Sequence, residues 1–160
     1  MKLQPLFLAL SCIVFTNIAV ANVTEQEVRQ AMGYLQQRLP LALDPRDQST
    51  KLIGVSVQPG RMVIYQYAID TDQMLRASAI KMGMTYQQLI DKSTQKFGSP
   101  LALLKATMTP YVRPGMVQQN CSMPFTHQML QDGWTLVHQV DAIGGQNLAM
   151  EIVTLKDCGV

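Results

Sequence analysis

Two histidines, three cysteines and eleven methionines give this 160-residue chain its widest chemical repertoire. A histidine serves as a catalytic base only with a nucleophile and an orienting carboxylate within hydrogen-bond reach. Around His127 the candidates are Ser122 and Asp132, five residues away on either side, so successive members fall on different faces of a helix. His138 alternates with apolar neighbours on a predicted strand. Both histidines read as structural, at the surface or half-buried. Metal binding fails on spacing, because the sequence has no Cys-x-x-Cys, His-x-x-x-His or dense carboxylate loop. Met82-Gly83-Met84 is the one spacing that suggests Cu(I) held by thioethers. Met32, Met62, Met129 and Met150 fall instead where methionine fills gaps in a core, and packing is the reading adopted. The Gly144-Gly145 pair belongs to a predicted hairpin turn, not to a phosphate-binding loop ahead of a helix. The acidic residues lie in polar turns and helix starts, with no pair singled out for glycosidic chemistry. The chain is therefore expected to lack catalytic residues, cofactor and resident metal.

The cysteines are best understood through the first twenty-one residues. Lys2, an apolar stretch through Phe15 and a closing Ala19-Val20-Ala21 make a secretory signal, with cleavage predicted between Ala21 and Asn22. Ser11, Thr16 and Asn17 interrupt the apolar stretch, so it is a poor permanent membrane anchor. Lipidation at Cys12 is the rival reading, and Ala9-Leu10-Ser11 fits a lipobox poorly. Cleavage removes Cys12 and Lys2, leaving Cys121 and Cys158 and lowering the formal charge from +2 to +1. An even pair in an oxidising compartment predicts one Cys121–Cys158 disulfide. The near-neutral charge and singly scattered basic residues argue against a nucleic-acid partner.

Residues 22–160 then read as a single exported α+β domain. Thr24 and Glu27 form a capping box ahead of Val28, Ala31, Met32, Leu35 and Leu39, and Pro40 ends that helix. Leu41 to Thr50 reads as a polar loop. Ile53, Val55 and Val57 share one strand face, and Val63, Tyr65, Tyr67 and Ile69 share another across Pro59-Gly60. The connector reads as short helices: Asp72 to Met82, Thr85 to Phe97, and Leu101 to Met108, with Pro110 and Pro114 breaking the segment beyond Met108. Pro124 opens a last helix that Gly133 closes. Trp134, Leu136, His138 and Val140 alternate, as do Leu148, Met150 and Ile152 after the glycine turn. The architecture predicted is a four-stranded antiparallel sheet of two hairpins with helices on one face, built from a duplicated helix-plus-hairpin unit.

Several of these elements recur together elsewhere. Leu39-Pro40 with Asp44, the strand Tyr65-Gln66-Tyr67, Cys121, the turn Leu130 to Gly133 and the closing Asp157-Cys158 resemble a family of small exported Gram-negative bacterial proteins without an established activity. The resemblance spans most of the exported part and brings no catalytic residue with it. It departs at Val137 and Gln139, where aromatic residues are usual, while Asp141-Ala142-Ile143-Gly144 supplies the turn. The connector from Asp70 to Met108 is also long.

The reading is a periplasmic, non-enzymatic binding or accessory protein that meets another envelope or secreted protein, as an inhibitor or envelope factor. Contact is expected through a sheet edge or the sheet face away from the helices, with Tyr65, Tyr67, Trp134 and His138 as the first candidates. The alternative is a small-molecule or lipid-binding module with a pocket between the sheet and the connector helices. An enzyme of unrecognised type comes third. Stable membrane insertion is not expected once the signal is removed.

Overall fold

The computed structural model describes residues 22–44 and 47–159. The predicted signal and Cys12 lie outside them.

The first helix, α1 (Glu25–Gln36), begins as its local sequence dictates: Glu27 N–H donates to the Thr24 hydroxyl while Thr24 N–H donates back to the Glu27 carboxylate. Its buried face is Val28, Met32 and Leu35. Five strands follow the chain across one sheet: β1 (Leu41–Asp44), β2 (Asp47–Gln58), β3 (Met62–Ile69), β4 (Thr135–Ala142) and β5 (Asn147–Val153). The segment expected to be a polar loop is thus largely strand. Leu41 pairs with Leu52, and Leu43 reaches the core.

The predicted all-antiparallel sheet is corrected at its centre. β3 and β4 pair in parallel, from Met62 opposite Thr135 to Ile69 opposite Ala142. Parallel neighbours need a crossover, and here it is the whole helical connector: α2 (Thr71–Lys81), α3 (Tyr86–Phe97), α4 (Pro100–Ser122) and α5 (Pro124–Gln131). Two hairpins do exist, β2/β3 and β4/β5, but the first carries an additional strand, β1, at its edge.

Two further corrections concern which side chains face inward. In β2, Leu52 opposes Tyr67 and Gly54 opposes Gln66, so Ile53 is the extra residue of a bulge. Leu52 and Val55 enter the core, whereas Ile53 is 48% exposed. In β5 a second irregularity, opposite the Val140–Asp141 step, lets Leu148 and Val153 be buried and leaves Met150 and Ile152 outside.

The connector is more continuous than its prolines suggest. α4 runs unbroken for 23 residues through Pro110 and Pro114. Each proline leaves a carbonyl one turn earlier without a donor. Both prolines are exposed, as are Ala106 and Pro110, which carry those carbonyls, so the breaks fall on the solvent side of the helix.

The main core joins α1, α4 and α5 to one sheet face, centred on Val28, Val63, Met129, Leu130, Leu136 and Val153. A second, smaller core of Leu75, Ala79, Leu89 and Leu104 holds α2, α3 and the start of α4 together as a lobe. Truncating Leu52 to Ala is expected to cost about 2–5 kcal/mol by chemical denaturation. Ile53→Ser is expected to fall within about 0.5 kcal/mol of the parent, because the bulge turns that side chain out.

Candidate functional site

Tyr65, Tyr67, Trp134 and His138, the sequence-predicted contact residues, are 2–7% exposed. They lie beneath the helices and are not available to a partner approaching from solvent in this conformation. The structure brings three of them together. The His138 ring stacks on Tyr65 at 5.1 Å between centroids and lies 5.9 Å from Tyr67. Adjacent parallel strands place them there, since Tyr65 is directly opposite His138 in register.

The fourth member of this cluster comes from a helix. Asn120 Nδ2 donates to the Met116 carbonyl at 2.8 Å and to His138 Nε2 at 3.0 Å. With Nε2 accepting, the neutral ring carries its proton on Nδ1, which donates to Tyr67 Oη at 3.1 Å. Thr126 completes the joint by donating its hydroxyl to the Asn120 carbonyl at 2.8 Å, tying α5 to α4. Burial holds the His138 imidazole down at about 4, and burial likewise raises both tyrosines above their ordinary 10, Tyr67 further through the neighbouring Tyr65. A base so weak beside phenols so reluctant to ionise is poorly matched to proton transfer near neutrality. The cluster instead fastens α4 to the sheet. Sequence periodicity places Tyr65, Tyr67 and His138 on inward strand faces. It has no means of finding Asn120, a polar residue in a helix 18 positions from its partner.

Two more ties hold the same stretch of α4. Cys121 and Cys158 lie with their sulfurs at a bonding 1.96 Å, joining α4 to a C-terminal 3-10 turn at Leu155–Cys158. Two turns before the histidine contact, the Arg113 guanidinium reaches Glu151 at 3.1 Å, Asp157 at 2.6 Å and the Ile152 carbonyl at 3.3 Å. The Thr154 backbone N–H, with Thr154's hydroxyl and Arg113 behind it, keeps Asp157 below the usual carboxylate range. This ion-pair group is open to water and orients more than it stabilises. Trp134 stands apart: its indole N–H is buried and has no hydrogen-bond partner, a cost left uncompensated at the foot of β4.

The helices cover one sheet face only. On the other, cross-strand register aligns Ile64, Val137 and Ile152 in one row, flanked by a row of Gln66, Gln139 and Met150. Met150 is 62% exposed and Ile152 47%, with Ile53 nearby on β2. This face is apolar and amide-bearing through its centre. Lys51 and Asp141 lie in the row toward one end.

A surface pocket of 440 Å³ lies elsewhere, lined by Asn22, Val23, Arg61, Gln131, Asp132 and Gly133. It sits at the start of α1 and the end of α5, not between the sheet and the connector helices as the ligand-binding alternative requires. Val23 N–H donates to the Asp132 carboxylate there, and Arg61 donates to the Asp132 carbonyl. Among the described residues no group of three or more His, Cys, Asp or Glu side chains is placed to hold a metal ion.

These features define an α+β protein with a mixed five-stranded sheet, helices on one face and a helical crossover lobe. Solved structures share that architecture. A protein from Pseudomonas aeruginosa described as secreted is similar at 14% identity, over 83% of this chain and 90% of that one, with a TM-score of 0.55. The pilotin EpsS of the Vibrio vulnificus type 2 secretion system is similar at 16% identity, over 84% and 90%, with a TM-score of 0.50. The pilotin AspS of the Vibrio cholerae type II secretion system gives 18%, 81%, 86% and 0.48. At these identities the likeness is one of fold. No family model matches the chain, and no curated protein does.

The buried histidine makes stability depend on pH in a defined direction. Its folded value, about 4, lies below the ordinary 6.5, so the unfolded chain binds the extra proton between those limits. The histidine's contribution to stability is expected to be full above pH 6.5, to fall on acidification through the window by about 3 kcal/mol, and to change no further below pH 4. Denaturation series at several pH values check this, and His138→Gln should flatten the slope in that window whatever its baseline. The cystine closes a segment with a sequence separation of 37. Paired Cys121→Ser and Cys158→Ser substitution is expected to cost about 4 kcal/mol on the chain-entropy model, and non-reducing peptide mapping of exported protein should recover the two cysteines as one linked peptide.

Proposed function

We propose that this is an exported, non-enzymatic accessory protein that works by contact with another protein of the cell envelope, and that the uncovered sheet face is its contact surface. The carrying observation is the one-sided sheet: Ile53, Met150 and Ile152 are exposed at 48%, 62% and 47% beside the half-buried Ile64 and the buried Val137. An apolar, largely uncharged patch of this kind on a folded domain is the sort of surface proteins use to meet one another. Fold likeness to a pilotin of a type 2 secretion system supports an accessory role. The Cys121–Cys158 geometry and the Ala19-Val20-Ala21 pattern support an oxidising, extracytoplasmic location, with the exported chain beginning at Asn22.

The test is site-specific photo-crosslinking in intact cells. A photoreactive residue at Met150 or Ile152 is expected to give a discrete cross-linked species, and one at Tyr34, on the solvent side of α1, is not. Met150→Glu with Ile152→Glu should abolish that species while changing stability by no more than about 0.5 kcal/mol per site. Cross-linking through the helices with none through the sheet face would reject the surface. Intact-mass measurement of the exported chain locates its first residue.

A further inference from the structure

The crossover lobe differs from the rest of the molecule in charge as well as in packing. From Thr71 to Met108 five basic residues (Arg76, Lys81, Lys92, Lys96 and Lys105) stand against two acidic ones (Asp72 and Asp91), a net +3. Elsewhere after Ala21, seven basic residues stand against nine acidic, a net −2. Within the lobe Arg76 is spent on Asp72, at 2.7 Å, and on the Tyr86 ring. Lys81, Lys92 and Lys105 are exposed and make no ion pair among the described residues.

The lobe also carries an apolar point. α2 starts where β3 ends, with Asp70 N–H donating to the Ser49 carbonyl at 2.7 Å. Its eleven residues advance about 16 Å from that anchor. At the far end Ile80 is 79% exposed and Met82 55%, with Lys81 between them. Neither joins the lobe's own core, which closes beneath them on Leu75, Ala79, Leu89 and Leu104, with Met84 packed against it. Glycine at 83 (φ +65°) turns the chain there into α3. Two large apolar side chains flanking a lysine at a helix–helix turn, on a lobe of net positive charge, match the interface of an anionic bilayer. Apolar groups enter the acyl boundary while lysines meet phosphate.

We propose that the α2–α3 turn docks reversibly on an anionic lipid surface, Ile80 and Met82 entering the interface and the lobe's lysines supplying the attraction. This is peripheral binding, and no helix among the described residues is long and apolar enough to cross a membrane. The surface is separate from the sheet face assigned above to a protein partner, so either assignment can fail without the other.

The experiment is co-sedimentation of the chain beginning at Asn22, with its disulfide formed, on vesicles of phosphatidylethanolamine and phosphatidylglycerol (7:3) and on phosphatidylcholine alone. Binding is expected on the anionic vesicles, weakening as salt rises from 50 to 300 mM. Lys81→Gln, between the two apolar side chains, is expected to weaken it about fivefold. Ile80→Gln with Met82→Gln, which leaves the charge unchanged, should abolish it with little change in the unfolding midpoint, since both side chains lie outside the core. Absence of binding to the anionic vesicles, equal binding to phosphatidylcholine, or undiminished binding by the Ile80 and Met82 variant would each overturn the proposal. Retention on poly-glutamate beads that is indifferent to Ile80 and Met82, with no vesicle binding, would assign the lobe to an acidic protein instead.

Discussion

β3 and β4 lie side by side and run in the same direction, so the chain leaving β3 must travel the length of the sheet before β4 can begin. Four helices make that journey, and α1, α4 and α5 all bury their apolar residues against one face of the sheet. This single pairing accounts for α4 and α5 on the covered face, beside α1, and for the lobe formed where the crossover exceeds what the sheet can cover. A purely antiparallel sheet of the same strands could be joined by short turns and would need no such crossover.

The return leg has to be held in place, and α4 is held three times within nine residues. Arg113 engages the rim of β5 and the C-terminal turn, Asn120 engages the buried histidine, and Cys121 is joined to Cys158. The three ties differ in kind. The ion pairs are wet and weak, the amide–imidazole contact requires a neutral ring, and the cystine requires an oxidising medium. Together they place the C-terminal half of the long helix over β4 and β5, while Leu103 and Leu104 near its start belong to the lobe core.

Much of the local structure is legible in the sequence because its causes are local. Thr24 with Glu27 and Thr85 with Gln88 close capping boxes visible within four residues, and Gly98 and Gly133 take the left-handed conformation their positions call for. Inward alternation of Val63, Tyr65, Tyr67 and Ile69 also comes from period two alone. The features that escape the sequence depend on partners far along the chain. Strand direction across β3 and β4 is settled by the crossover between them. The inward set of β2 is shifted by a bulge at Ile53 that only pairing with β3 reveals. Continuity of α4 through Pro110 and Pro114 depends on their facing water, which no local pattern records. For the candidate site the same division holds: the sheet face away from the helices can be foreseen as a surface, but its residues cannot. Tyr65, Tyr67 and His138 are good strand formers pointing inward, whereas Met150 and Ile152 share the period of Leu148 and lie outside the core that Leu148 and Val153 occupy.

The lobe's separate core has a kinetic consequence. Four buried side chains, one of them alanine, enclose far less apolar surface than the main core. Opening the lobe exposes little beyond that small cluster, so backbone amides of α2 and α3 are expected to exchange with solvent through a low-energy excursion in which the sheet stays folded. The main core, the cystine and the histidine contact set a slower, global process. One chain is thus expected to carry two grades of persistence, a labile unit grafted onto a durable sheet, joined by α4 and by Met74 of α2, which packs against both cores.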